Sequence, residues 1–253
     1  MSRRARLAVF GVAAAGLAAL LFWSLVGLPD FGSYQGGYGN QLNREVVPER
    51  HTTNVVGAVV FDYRGFDTLG EEFILFTAVL AVAMLLRHGK DEEERERERQ
   101  RDVRDETRSD AVRLTCLLLL PPIFVLGLWL VAFGYVTPGG GFQGGVLIAG
   151  AFLLAYIAAG YKRFNDLAPH RAVELVEGVG GAGAFALLGV AGLVAEGAYL
   201  QNFLGSGDTG TLFAGGSIPL LNWAAAIEVA AAMVILFGEF VYEYVVPLSQ
   251  ESR

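Results

Sequence analysis

The sequence predicts an all-α integral membrane protein with about six transmembrane helices, one of them broken, arranged in two modules. Of the 253 residues, 53% are hydrophobic and 18% charged, whereas soluble domains carry about a quarter charged residues. Most of the charges are crowded into one stretch, so the rest of the chain is still more apolar. Several charge-free segments are also long enough to cross a hydrocarbon core of about 30 Å. These observations disfavour a soluble enzyme.

Five segments are continuous spans. The first, residues 7–28, follows three arginines and is longer than the apolar core of a typical signal peptide, so we expect a retained helix, with a cleaved signal peptide as the alternative. The others cover residues 114–136, 146–161, 178–195 and 218–238.

The sixth span is divided. The apolar segments 54–61 and 73–86 are separated by a polar stretch, and neither is a confident full span. Together they predict one broken helix.

The basic residues predict the topology. With six spans, both termini and the charged stretch fall on one side of the membrane together with nearly all arginines and lysines, and only Arg44 and Arg50 fall opposite. Cytoplasmic segments are the ones enriched in basic residues. We therefore expect a cell-membrane protein with cytoplasmic N- and C-termini.

The charged stretch also divides the chain. Residues 1–88 form a two-span module, residues 89–110 a linker of alternating acids and arginines, and residues 111–253 a four-span module. The linker has nothing to bury, so we expect it to be solvated, with partner docking or regulation as the alternative.

Several kinds of site are disfavoured. A single cysteine and three scattered histidines form no recognisable metal motif, and we expect no cofactor. With a net charge of -7 and arginines that alternate with acids, no nucleic acid is expected as a partner. Two G-x-G-x-x-G matches, at 139–144 and 178–183, adjoin long apolar segments instead of a strand-turn-helix unit, so a dinucleotide site is rejected.

The strongest chemical signal is the polar break, which holds five charged residues: Asp62, Arg64, Asp67, Glu71 and Glu72. An ordinary polar loop outside the membrane is the alternative. Because a charge at a helix centre costs about 2.5–3.5 kcal/mol, Arg64 should pair with Asp62 or Asp67. Glu71 follows Gly70, which we expect to break the helix, and remains as a titratable group suited to proton relay.

Further acids lie in the second module. Glu228 stands halfway along the last span, where it either forms a structural hydrogen bond or takes part in a proton or sodium relay. Glu174 and Glu177 stand at the cytoplasmic start of a span, where a structural role at the helix N-terminus is favoured. Glu239 is expected at the cytoplasmic interface.

A glycine-rich turn joins two spans of this module. We expect a tightly packed turn, because Phe and Gln embedded among glycines have no obvious use in a merely flexible loop. Such a turn could also expose backbone amides toward an ion path. Its residues are Pro138, Gly139, Gly140, Gly141, Phe142, Gln143, Gly144 and Gly145.

Both motifs resemble known families. The string from Asn54 to Glu71 resembles the C-terminal region of the large A-type polypeptide of Mrp-type multisubunit Na+/H+ antiporters, and the E-type polypeptide of membrane-bound hydrogenases. The string from Thr137 to Gly145, with its flanking spans, resembles the B-type polypeptide of the same antiporters, the MnhB family.

The resemblance implies an accessory, non-enzymatic subunit of an assembly that exchanges Na+ for H+, with the other subunits of that assembly and the lipid membrane as partners. It implies that Asp62, Arg64, Asp67 and Glu71 match the polar break of the family. Two alternatives stay open, the same module in a redox-driven complex such as a hydrogenase, and a purely structural scaffold.

Overall fold

The computed structural model describes residues 3–28, 32–33, 36–86 and 109–251. The chain divides into two compact units, Met1–Gln41 and Leu42–Arg253. Helix α1 (Arg3–Val26) belongs to the first unit, and α2 (Gly37–Arg50) begins in the first and ends in the second. The predicted linker, apart from its last two residues, lies outside the described residues.

The second unit is helical throughout its regular structure, and no strand occurs in the described ranges. Two segments, π1 and π2, have the wider π-helical turn. The elements in chain order are α3 (Val55–Ala58), π1 (Val59–Tyr63), α4 (Gly65–Leu85), α5 (Asp110–Ala132), α6 (Gly141–Leu167), α7 (His170–Leu175), π2 (Val176–Gly183), α8 (Ala184–Glu196) and α9 (Ile218–Glu251).

Six helical segments are long and apolar enough to cross a membrane, which confirms the predicted fold class. One of them is composite, because α7, π2 and α8 join into the single span His170–Glu196. The others are Leu7–Val26, Gly65–Leu85, Asp110–Ala132, Gly141–Leu167 and Ile218–Val241.

The broken helix is present, but its break is not where the sequence suggested. The helical path is interrupted at Arg64 (φ -129°, ψ 31°), whereas Gly70, which we expected to break the helix, lies inside α4. An isolated glycine weakens a helix by about 1 kcal/mol, which the packing of a long apolar helix readily offsets. With 21 residues, α4 is about 31 Å long and can span the bilayer without its other half.

Helix α9 lies at the centre of the second unit. It packs against α6, π2 and α4, and its buried face is rich in alanine, including Ala224, Ala225 and Ala232. Small side chains let helix backbones approach closely in a membrane protein. This close approach brings polar groups of three helices together inside the bundle.

Candidate functional site

Three glutamates from three different elements are buried inside the second unit. Glu72 on α4 and Glu228 on α9 are 0% exposed, and Glu177 on π2 is 1% exposed. Lys and Glu side chains are almost never fully buried without a partner. A set of three therefore marks the principal candidate site of the chain.

These carboxyl groups are poorly satisfied. One oxygen of Glu228 accepts a hydrogen bond from the backbone N–H of Ala182, at 2.9 Å. The other Glu228 oxygen, Oε1 of Glu177 and both oxygens of Glu72 have no hydrogen-bond partner among the described residues. Buried polar atoms of this kind require a proton, a water molecule or an ion to complete them.

The local sequence explains why Glu228 can reach the backbone of π2. A Cβ atom on Gly181 would lie 2.6 Å from the Cα atom of Glu228, so only a glycine allows α9 to approach this closely. The carboxyl group then lies beside the amide of the next residue, Ala182. Single turns of π-helix occur frequently at functional sites.

Glu72 faces Glu228 through the register of α4 and α9. Val79 of α4 packs with Ala232 and Ile235 of α9, and the glutamates lie about two turns before this contact on their respective helices. The buried carboxyls of α4 and α9 therefore occupy the same level of the bundle.

The arrangement differs from a metal-chelating centre. In the described parts of the chain, no group of three His, Cys, Asp or Glu side chains converges on a position that could hold a metal ion. The carboxyls are instead spaced along the bundle, an arrangement suited to passing a small cation or proton from one group to the next.

The polar break forms two separate ion pairs. Arg64 pairs with Asp67, one of its two predicted partners. Asp62 pairs instead with Arg50, at the end of α2. Burial raises the pKa of Asp62, and the neighbouring Arg50 opposes that increase. The pair thus ties α2 to π1.

Sequence reasoning singled out a neighbour of the buried acid in α4. Glu71 is exposed in this chain and Glu72 is the buried residue. The buried positions Thr68, Glu72 and Val79 share one face of α4. Since most of α4 is apolar on every face, only the four-residue spacing of Thr68 and Glu72 could have indicated this face.

The sequence analysis was wrong about the surroundings of Glu177. Instead of a carboxylate exposed at a helix N-terminus, it lies in π2 within the bundle, because π2 continues α7 without a new helix start. Glu228 lies in the middle of a span, as its position in the sequence suggested. The transport roles of Asp62, Arg64, Asp67, Glu71 and Glu228 stay predictions.

The glycine-rich turn is held by a buried side chain. Asn222 of α9 accepts a hydrogen bond from the Gly141 N–H (2.6 Å) and donates one to the Val131 carbonyl (2.7 Å). The Gly140 N–H donates to Leu130 O at 3.1 Å. These two glycine amides are therefore engaged within the protein. Phe142 is half-buried against the core, whereas Pro138 and Gln143 are exposed.

The two sequence motifs meet in space. Asn54 caps α3 by accepting hydrogen bonds from the amides of Val56 and Gly57. Its side-chain amide also donates to the carbonyls of Gly134 (2.5 Å) and Thr137 (3.2 Å), at the start of the turn. The beginning of the broken helix is thus fastened to the glycine-rich turn.

Comparisons with known proteins identify two family domains. Residues 111–235 match the domain related to the MnhB subunit of Na+/H+ antiporters, and residues 2–102 match the MbhE family, the E-type polypeptide of MBH. Uncharacterized protein MJ1307 of Methanocaldococcus jannaschii is 35% identical over 203 residues, which cover 71% of this chain and 74% of that protein. The chain belongs to the MnhB-related family and carries an MbhE domain. It is therefore a membrane subunit of the antiporter type.

A partial relative has the same two-part character. A probable K(+)/H(+) antiporter polypeptide of Rhizobium meliloti, named for the A and B components together, is 30% identical over 126 residues. These residues are 44% of this chain and 13% of that much longer protein.

Two solved membrane complexes contain similar chains. A chain of the membrane-bound sulfane sulfur reductase, an archaeal respiratory membrane complex, is 30% identical, with a TM-score of 0.68 over 94% of this chain and 98% of its own length. A chain of the Mrp complex from Dietzia sp. DQ12-45-1b has the same fold, with a TM-score of 0.62 at 23% identity over 94% of this chain and 26% of that chain. Both neighbours are parts of multisubunit assemblies, and the partners of this chain are the other subunits of such a complex.

Proposed function

We propose that the chain is an accessory, non-enzymatic subunit of a multisubunit antiporter that exchanges Na+ for H+, and that Glu72, Glu177 and Glu228 form part of its ion or proton path. The carrying observation is the burial of three carboxyl groups, with unpartnered oxygens, inside a bundle of membrane-spanning helices. Ionisable groups at such positions are costly, and in membrane proteins they mark ion pathways and proton relays.

The family supports the antiport assignment. The model matched by residues 111–235 describes a domain related to a component of Na+/H+ antiporters, and a partial relative bears the name of a K(+)/H(+) antiporter component. We place the chain in the cell membrane with cytoplasmic termini, on the distribution of its basic residues. We further propose that it transports only within the complete assembly, since its isolated acids need partner helices for a continuous path.

A redox-driven complex is the second candidate host. The similarity to a chain of the sulfane sulfur reductase extends over 98% of that chain. Purification of the intact complex under mild detergent, followed by mass spectrometry, separates the two hosts. Antiporter-type subunits alone support the first host, and additional iron–sulfur or hydrogenase-like subunits support the second.

The ion path is tested by replacing its acids in the complete complex. Glu72→Gln and Glu228→Gln keep the shape of the side chain but cannot titrate, so we expect Na+-driven proton movement in inverted vesicles to fall about a hundredfold. Glu196→Gln, at an exposed glutamate at the end of α8, is the matched control. Normal transport by both buried variants, at equal amounts of assembled complex, would refute the proposed path.

A further inference from the structure

A second polar cluster lies at one end of the bundle, where α7 begins and the apolar part of α9 ends. His170 contacts Glu239 of α9 through Nε2, with 2.6 Å to Oε1, and contacts Glu174 through Nδ1, with 3.4 Å to Oε1. The side chains of His170 and Glu174 are 42% and 47% exposed, and that of Glu239 is 15% exposed. The cluster is therefore open to water on one side and closed on the other.

The closed side leads toward the buried glutamates. Glu174 and Glu177 lie three residues apart, so they are neighbours on one helical face. Glu177 is followed, about one π turn later, by Ala182, whose amide contacts Glu228. Exposed and buried acids thus alternate with the helical turns from the surface to the centre of the bundle.

The alternative route along α9 is closed by apolar packing. Glu228 and Glu239 are about 16 Å apart along the helix axis. Between them, Ala232 and Ile235 pack against Val79 and Val173. A proton that moves between the surface and Glu228 would therefore pass by Glu174 and Glu177.

We infer that His170, Glu174 and Glu239 form a mouth through which protons enter or leave the buried glutamates, with Glu174 as the group that exchanges protons with Glu177. The inference rests on the proposed function and adds a side and an order to its path. In the proposed topology this mouth opens to the cytoplasm.

The chemistry of the mouth favours a proton over Na+. A sodium ion in a dehydrated path needs several oxygen ligands at once, and the described residues offer no convergent set of three acids or histidines. A proton needs only one acceptor at a time and can pass through intervening water. Histidine suits this task, because one ring nitrogen can accept a proton while the other donates one.

The test uses the complete complex in inverted vesicles. Glu174→Gln and His170→Gln should each slow Na+-driven proton movement at least about tenfold per assembled complex, since positioned proton carriers contribute about 10²-fold or more. Glu174→Asp should restore much of the rate. Asp166→Asn changes an exposed acid near the end of α6, close in sequence to the mouth, and should leave the rate unchanged.

A solvent isotope measurement separates proton delivery from packing. If Glu174 delivers protons, the ratio of the rates in H2O and D2O should be larger for Glu174→Gln than for the unmodified complex or Asp166→Asn. A packing defect would lower the amount of assembled complex without increasing this ratio.

The outcomes distinguish the mouth from the function on which it rests. Normal rates and isotope ratios in Glu174→Gln and His170→Gln, while Glu228→Gln is inactive, would overturn the mouth and leave the proposed function standing. Normal transport by Glu72→Gln and Glu228→Gln would instead overturn the proposed function.

Discussion

At the scale of single residues, the position of the Glu228 carboxyl depends on the absence of a side chain opposite it. Gly181 permits α9 to lie so close to π2 that a Cβ atom there would be 2.6 Å from Cα and 2.7 Å from Cβ of Glu228. These are backbone and near-backbone atoms, which cannot turn aside as the end of a flexible side chain can. A methyl group at this position must therefore displace α9 or π2.

We predict that Gly181→Ala lowers the stability of the detergent-solubilised chain by about 1–3 kcal/mol, the usual cost of overpacking. Gly150→Ala is the control, because a Cβ atom there meets nothing within 4 Å and alanine favours a helix by about 1 kcal/mol. Thermal unfolding followed by circular dichroism provides the measurement. A Gly181→Ala chain as stable as the Gly150→Ala chain would contradict the close packing.

Sequence reasoning was least successful at this scale. A lone acid in an apolar span, such as Glu228, is conspicuous in the sequence because every neighbour is apolar. The adjacent pair Glu71 and Glu72 offers no such contrast. Their burial differs because consecutive helical positions point about 100° apart, and the face of α4 that meets α9 is set by tertiary packing.

At the scale of elements, Asn222 joins three helices at the glycine-rich turn. Its side chain binds the first amide of α6 and a carbonyl of α5 from its position on α9. The sequence motif indicated a tight turn, but Asn222 lies 77 residues beyond Gly145. A partner at that separation in sequence leaves no local pattern.

We predict that Asn222→Ala destabilises the chain by about 2–4 kcal/mol, because two buried backbone groups lose their partners at about 1–3 kcal/mol each. Gln201→Ala replaces an exposed amide side chain and should change the stability by less than about 0.5 kcal/mol. Chemical unfolding of both variants in detergent gives the comparison. An effect of Asn222→Ala no larger than that of the control would show that the turn does not need this clamp.

The contact between α2 and π1 is electrostatic. Arg50 pairs with Asp62, whose side chain is 7% exposed while that of Arg50 is 34% exposed. Removing the arginine leaves a nearly buried carboxylate without its counter-charge. The partial exposure of Arg50 reduces the cost below that of a fully buried pair.

We predict that Arg50→Met costs about 1–2 kcal/mol at neutral pH, whereas Arg44→Met, at an exposed arginine of the same helix, costs less than about 0.5 kcal/mol. The pKa of Asp62 is raised by burial, so protonation at low pH removes the uncompensated charge. The penalty of Arg50→Met relative to the unmodified chain should therefore shrink as the pH falls, and thermal unfolding across a pH series checks this. A penalty that grows toward acidic pH would contradict the assigned pair.

At the scale of the whole molecule, the two sequence motifs belong to one structural unit. The family domains meet near the charged stretch, at residues 2–102 and 111–235. The helix α4 of the first domain nevertheless packs against α9 of the second, and both supply a buried glutamate. The length and hydropathy of the spans were sufficient to predict six helices, because a bilayer imposes both. The order in which the spans pack depends on close contacts such as Gly181 with Glu228, which composition does not encode. The module boundaries at 88 and 111 stay a prediction.

The orientation of the whole molecule gives the last prediction. Cys116 is the single cysteine of the chain and is buried in α5, so Cys116→Ala provides a background without reactive thiols. On that background, Asp166→Cys places a thiol at an exposed site near the end of α6, and Asp208→Cys places one in the exposed segment between α8 and α9. Because the basic residues near α6 assign its end to the cytoplasm, a membrane-impermeant maleimide added to intact cells should label position 208 and not position 166. Permeabilised cells should show labelling at both positions, which establishes that each thiol is reactive. Labelling of position 166 but not 208 in intact cells would invert the topology, and the mouth formed by His170, Glu174 and Glu239 would then open to the outside.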